Sequence, residues 1–120
     1  ERVLMPVRLA IFDFDCTLSA FHIYNALAGG TEGWQLPPPH ARTEAGQLAL
    51  ISELDQKPEL QQHGGFATAA FGGSARVAQI ASLLDQLARA GVECIICSRG
   101  LVGPVRKCLD QLRLLHYFSQ

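Results

Sequence analysis

Two acids, Asp13 and Asp15, stand two residues apart where the apolar run Val7 to Phe14 (VRLAIFDF) ends. On an extended segment, side chains two apart share a face, here about 6 to 7 Å from one another along the chain. Like charges at that separation repel by about 3 kcal/mol at an effective dielectric near 20, and a cation is the natural remedy. Magnesium prefers hard oxygen ligands and is commonly held by one or two carboxylates together with substrate phosphate and water, so the pair is a reasonable half-site for it. The plain alternative is two solvated acids at a strand end, and spacing alone does not separate the two readings.

A second apolar run, Val92 to Cys97, ends in Ser98-Arg99-Gly100. A serine hydroxyl and the N–H groups of such a turn suit a phosphoryl oxygen, although the same serine serves equally as a turn or helix-cap residue. Cys94 and Cys97 form a Cys-x-x-Cys, but they lie inside the second run, where positions three apart point to opposite faces. Redox chemistry is therefore not expected of them. His22 is nearest in sequence to the acids and reads as an ordinary surface histidine, while His40, His63 and His116 are too scattered for a zinc site. Gly72-Gly73-Ser74 precedes a helix pattern without a preceding strand or a Walker lysine, which leaves helix capping as its role.

These residues must be positioned by a small molecule. The chain has 120 residues, nearly half of them apolar, enough for one core and not for two. Its 10 basic and 11 acidic residues nearly balance. No broad field therefore draws it to nucleic acid or an anionic membrane, and any anion must be held locally. Four cysteines in apolar stretches without regular spacing read as thiols in a reducing compartment. No stretch reaches the ~20 apolar residues of a membrane helix, and no signal-like segment opens the chain, so a soluble, cytoplasmic protein is expected. Oligomeric state is not legible here. A first residue other than Met and a C-terminal Tyr117-Phe118-Ser119-Gln120 that reads as the opening of a further strand suggest a fragment.

The two apolar runs are predicted to be buried strands whose carboxyl ends carry the candidate residues, the usual place for a site in an open α/β sheet. Between them, Leu18 to Leu27 predicts a loop and short helix closed by Gly29-Gly30. Trp34 to His40, with three prolines, predicts a rigid extended connector, and Thr43 to Leu54 a helix ended by Pro58. Gln61 to Gly73 is rich in Gly, Ala and Gln and predicts a mobile loop anchored by Phe66 and Phe71. Ser74 is the expected N-cap of an amphipathic helix carrying Val77, Ile80, Ala81, Leu84, Leu87 and Ala88 on one face and stopped by Gly91. After Ser98, Pro104 fits a first helical turn, and Val105, Cys108, Leu109, Leu112 and Leu115 form another stripe. Strands alternating with helices predict an α/β fold with a parallel sheet and right-handed crossovers.

In sequence, Leu9-Ala10-Ile11-Phe12 followed by Asp13-Phe14-Asp15-Cys16-Thr17-Leu18 resembles the opening motif of the haloacid dehalogenase-like (HAD) superfamily. Ile95-Ile96-Cys97-Ser98-Arg99-Gly100 resembles its second motif. The resemblance implies a Rossmann-like core with flanking helices, incomplete in this chain, formed by residues 1–19 and 74–120, with 20–73 as a small, irregular cap-like insertion. It further implies a magnesium-dependent phosphomonoester hydrolase, with phosphoserine-phosphatase-like members among the closer resemblances. Asp13 would be the nucleophile that forms an aspartyl phosphate, and Asp15 the general acid and base. Thr17, Ser98, Arg99 and Gly100 would hold the loop and the phosphate. Asp13 and Asp15, the latter through its carbonyl, would hold magnesium.

The substrate would be a small phosphorylated molecule or a phosphoprotein, with Phe21, His22, Tyr24 and Trp34 as possible cap contacts. The sequence departs from the pattern after Ser98: no acidic pair follows, Asp110 is isolated, and Lys107 lies on a helix whose solvated face suits it. Lys57, before Pro58, fits no better. The departure keeps open a catalytically inactive regulatory or interaction domain of the same fold. A two-component-type receiver is disfavoured, because its paired acids sit on an earlier strand than its acceptor.

Overall fold

The computed structural model describes residues 7–30 and 36–119. Two short strands, β1 (Leu9–Asp13) and β2 (Glu93–Cys97), pair in parallel with Leu9 opposite Glu93 and Asp13 opposite Cys97. This register puts Ala10, Phe12, Cys94 and Ile96 on one face and Leu9, Ile11, Glu93 and Ile95 on the other. The first set packs into the core, whereas Leu9 and Ile11 remain exposed. A third extended segment begins on the far side of β2: Phe118 bridges Cys94 in parallel, the Ser119 N–H donates to the Cys94 carbonyl at 2.9 Å, and the Phe118 ring meets Phe12 edge-on. The molecule is thus a mixed α/β fold with a two-stranded parallel sheet.

Six α-helices are found among the described residues: α1 (Ile23–Ala28), α2 (Glu44–Asp55), α3 (Pro58–Gln61), α4 (Phe66–Ala70), α5 (Ser74–Arg89) and α6 (Val102–Gln111), with a short 3-10 turn at Leu115–Tyr117. Their ends follow the expected chemistry. Gly29 ends α1 at φ 83°, a conformation glycine adopts without penalty. The Thr43 hydroxyl accepts from the Gly46 N–H and so caps α2, with Gly46 tolerated in the first turn. Pro58 opens α3 rather than ending α2, which stops three residues earlier. In α6, Pro104 lies in the first turn, where its missing N–H is no loss.

Segment 20–73 is more regular than its Gly and Pro content predicts. Gln61 to Gly73 was expected to be a mobile loop, yet it contains α4. Phe66, Ala67, Ala70 and Phe71 are all buried there, and burying two phenylalanines outweighs the weak local helix preference. The start of α4 is held from a distance: Asp55 Oδ1 accepts from the Phe66 N–H at 2.8 Å, while its Oδ2 accepts from Gln111 on α6 at 3.0 Å. Asp55→Ala removes both bonds and leaves an uncapped N–H. A loss of about 1–2 kcal/mol is expected, read as a lower thermal midpoint with unchanged helix content at 20 °C.

The segment's Leu27, Leu50, Ile51, Leu54 and Phe66 share a single cluster with Phe14, Leu84, Cys94, Cys108 and Leu109. The cap-like insertion and the strand-bearing part therefore share one core. Trp34, with residues 31–35, lies outside the described residues, and the connector is seen only from residue 36. Ser74 is the first residue of α5 rather than its cap; Gly73 takes that position without a side-chain bond. Ala88 also departs from the expected stripe and is exposed. Among the described residues, no helix is long and apolar enough to cross a membrane.

Candidate functional site

Parallel pairing in this register places the carboxyl ends of β1 and β2 side by side. Beyond Asp13 the backbone makes a wide turn, Phe14–Leu18, closed by the Ser19 N–H donating to the Phe14 carbonyl at 3.1 Å. Inside it Asp15 is extended and Cys16 is left-handed (φ 63°, ψ 10°), a conformation uncommon for a residue other than glycine. Buried Ser19 holds this shape. Its hydroxyl accepts from the Cys16 N–H at 3.1 Å and donates to the Phe21 carbonyl at 2.6 Å.

Each acid is oriented by a donor. The Thr17 hydroxyl donates to Asp13 Oδ2 at 3.0 Å, which leaves Oδ1 without a hydrogen bond among the described residues. Asp15 is mostly buried, and its Oδ1 accepts from the Ile23 N–H at the start of α1 at 2.8 Å. Its Oδ2 faces the other way: a Cβ built on Gly100 would lie 3.6 Å from that oxygen and 3.2 Å from Ser98 Oγ. Glycine at 100 thus keeps open the gap between the acid and the hydroxyl. Ser98 Oγ in turn accepts from the Gly100 N–H at 3.0 Å, while Arg99 is exposed. Asp13, Asp15, Thr17, Ser98 and Gly100 are therefore gathered at one end of the sheet.

His22, expected to be an ordinary surface histidine, is instead the N-cap of α1. Its Nδ1 accepts from the Asn25 N–H at 3.1 Å and lies 3.7 Å from Asp15 Oδ2. As the acceptor of that N–H, Nδ1 turns its lone pair to the α1 backbone rather than donating to Asp15. Tyr24 shares a narrow crevice with Asp15, Gln47, Gly100 and Leu101. Phe21 lines a separate cavity of about 620 Å³ with Glu59, Leu60 and His63.

The helix N-terminus that follows Ser98 is partly answered from within the chain. α6 begins at Val102, and the Glu44 carboxylate lies against its first turn at Gly103. Lys107 donates to Ser52 Oγ at 2.6 Å and approaches the Leu48 carbonyl at 3.4 Å, joining α6 to α2 rather than reaching the acids. Among the described residues, no three His, Cys, Asp or Glu side chains come together as a metal site. The oxygens available to a hard cation are those of the Asp13 carboxylate and, in the adjoining turn, the Asp15 carbonyl, since the Phe14, Thr17 and Leu18 carbonyls already accept hydrogen bonds. This donor type suits magnesium with substrate and water completing its shell.

Of the four thiols, Cys16 and Cys97 are exposed and Cys94 and Cys108 buried. The opposite placement of Cys94 and Cys97 is the one expected of a strand, and it separates the Cys-x-x-Cys pair. Burial pushes the Cys108 thiol up to about 12, with the Asp55 and Asp15 charges adding to the rise and Lys107 opposing it. A group whose folded value lies above its unfolded value of 9.0 stabilises the fold fully below pH 9, and that contribution is lost as pH rises towards 12. Alkylation at pH 8 should accordingly modify Cys16 and Cys97 rapidly and Cys108 only on unfolding, as mass spectrometry of labelled peptides will show. Stability should decline above pH 9.

No family model, curated protein or solved structure matches this chain.

Proposed function

We propose that this chain carries a magnesium-dependent phosphomonoester hydrolase site of the haloacid dehalogenase type, on a Rossmann-like core of which β1 and β2 are the first two strands. The observation that carries the proposal is the in-register pairing of Asp13 with Cys97, which gathers two oriented carboxylates and the Ser98 hydroxyl around the gap left by Gly100.

Asp13 Oδ1 attacks phosphorus, since Oδ2 is engaged by Thr17. The bond to the leaving oxygen breaks, and an aspartyl phosphate forms. Asp15 protonates that oxygen through Oδ2, because its Oδ1 accepts a main-chain N–H; it then takes a proton from the water that hydrolyses the acyl phosphate. The Ser98 hydroxyl, supported by the Gly100 N–H, donates to a phosphoryl oxygen. Asp13 and the Asp15 carbonyl would hold magnesium, which when bound would supply positive charge against the phosphate and the paired acids.

A second reading, an inactive binding domain of the same fold, is favoured by one observation. Among the described residues the site has no lysine, since Lys107 is engaged by α2. Hydrolysis of an aryl phosphate by the 120-residue chain, with magnesium and with EDTA, separates the readings. Magnesium-dependent turnover supports the enzyme. Magnesium and phosphate binding without turnover supports the inactive domain, and turnover indifferent to EDTA rejects the proposed mechanism.

A further inference from the structure

Arg76 sits in the first turn of α5, the end of a helix at which a positive charge is disfavoured. No carboxylate pairs with it among the described residues. Its half-buried guanidinium is instead spent on three main-chain carbonyls: Nη2 donates to Thr17 at 2.8 Å, and Nη1 to Leu18 at 2.5 Å and Phe71 at 3.0 Å. Two of these belong to the turn that follows Asp13, 58 and 59 residues away in sequence. The third closes α4. The same junction is stitched by the Ala20 N–H donating to the Ala70 carbonyl at 2.7 Å.

We propose that Arg76 is a positioning residue for Asp13: its planar fork fixes the carbonyls of Thr17 and Leu18, so that the Thr17 hydroxyl holds the Asp13 carboxylate in one orientation with Oδ1 free. A guanidinium suits this task because several N–H donors diverge from one rigid plane, whereas an ammonium presents a single point of charge. The link runs Arg76 to the Thr17 backbone, Thr17 hydroxyl to Asp13 Oδ2, with every contact at hydrogen-bond distance. Its catalytic meaning rests on the function proposed above; its structural content does not.

The test uses the full 120-residue chain as parent, Arg76→Ala, Arg76→Lys, Thr17→Val and the Arg76→Ala/Thr17→Val double variant. Three-bond couplings to the Asp13 carboxyl carbon report the side-chain rotamer. A single rotamer is expected in the parent, averaging in Arg76→Ala and in Thr17→Val, and no further averaging in the double variant, because both act through one contact. Arg76→Lys should restore the single rotamer only in part, and it serves if Arg76→Ala does not fold. With an aryl phosphate and magnesium, kcat should fall about 10- to 100-fold in Arg76→Ala with KM within about twofold. An unaltered Asp13 rotamer in the Arg76 variants overturns the proposal even if the thermal midpoint falls. A parent without turnover, or one whose turnover Asp13→Asn leaves intact, overturns the functional reading alone; the couplings still decide the role of Arg76.

Discussion

Asp13→Asn is expected to lower the turnover of an aryl phosphate by at least about 10³-fold, the scale on which enzymes lose rate when a covalent nucleophile is removed. The substitution is nearly isosteric. Its amide oxygen can still accept from the Thr17 hydroxyl, and the strand register that places residue 13 opposite residue 97 is a backbone property. What is lost is a negatively charged oxygen able to bond phosphorus. Asp13 is exposed at the tip of β1, so its replacement should change stability by no more than about 0.5 kcal/mol. Removing one of two neighbouring negative charges also relieves repulsion, but solvent at the exposed strand tip screens it far below the value for a dielectric near 20, so any rise in thermal midpoint is small. Steady-state kinetics together with a thermal melt check both halves. Parent-like turnover in the variant would remove Asp13 from the nucleophile's role, whereas a collapse of the melt would show that the carboxylate is structural.

The chemistry-bearing ends of the two strands were legible because their signal is local. An apolar run that stops abruptly in Asp-Phe-Asp, or in Ser-Arg-Gly, marks a buried strand reaching solvent, and two such strands in parallel bring their ends together. What local pattern does not carry is contact at long range. The Asp55 cap of α4 spans 11 residues and turns a Gly- and Ala-rich stretch into a helix. The Arg76 clamp spans nearly half the chain, and nothing near position 76 distinguishes that arginine from a solvated one. The role of His22 is hidden for a related reason. A histidine is an uncommon helix cap, and only the fold of the Phe14–Leu18 turn brings it beside Asp15. Assigning the cap of α5 to Ser74 instead of Gly73 is a one-residue displacement of the kind helix ends commonly show. The exposed face of the sheet at Leu9 and Ile11 was not legible either, because alternating burial depends on which face the helices cover, and both strands read as mostly apolar.

Phe71→Ala should cause a large loss of stability, about 3–5 kcal/mol, as expected when a fully buried aromatic side chain is removed and its cavity cannot collapse. The position is unforgiving on geometric grounds. The ring is wholly inaccessible and meets Phe14 edge-on at 5.8 Å between centroids, and Phe14 is the residue between the two acids. Against the roughly 5–15 kcal/mol that holds a small domain folded, such a loss is a large fraction. A fall in thermal midpoint of about 10–20 °C is the expected reading. Phe71→Leu, which refills part of the volume, should recover more than half of it. The Phe71 carbonyl also accepts from Arg76, but that bond belongs to the backbone and survives the substitution for as long as the chain stays folded. The two variants therefore dissociate the site's two requirements. Asp13→Asn should silence the chemistry in a stable protein, while Phe71→Ala should melt the platform under Phe14 with every proposed catalytic group intact. If Phe71→Ala melts within about 3 °C of the parent, the packing of segment 20–73 against the base of the Asp13 turn is not what holds that turn in place.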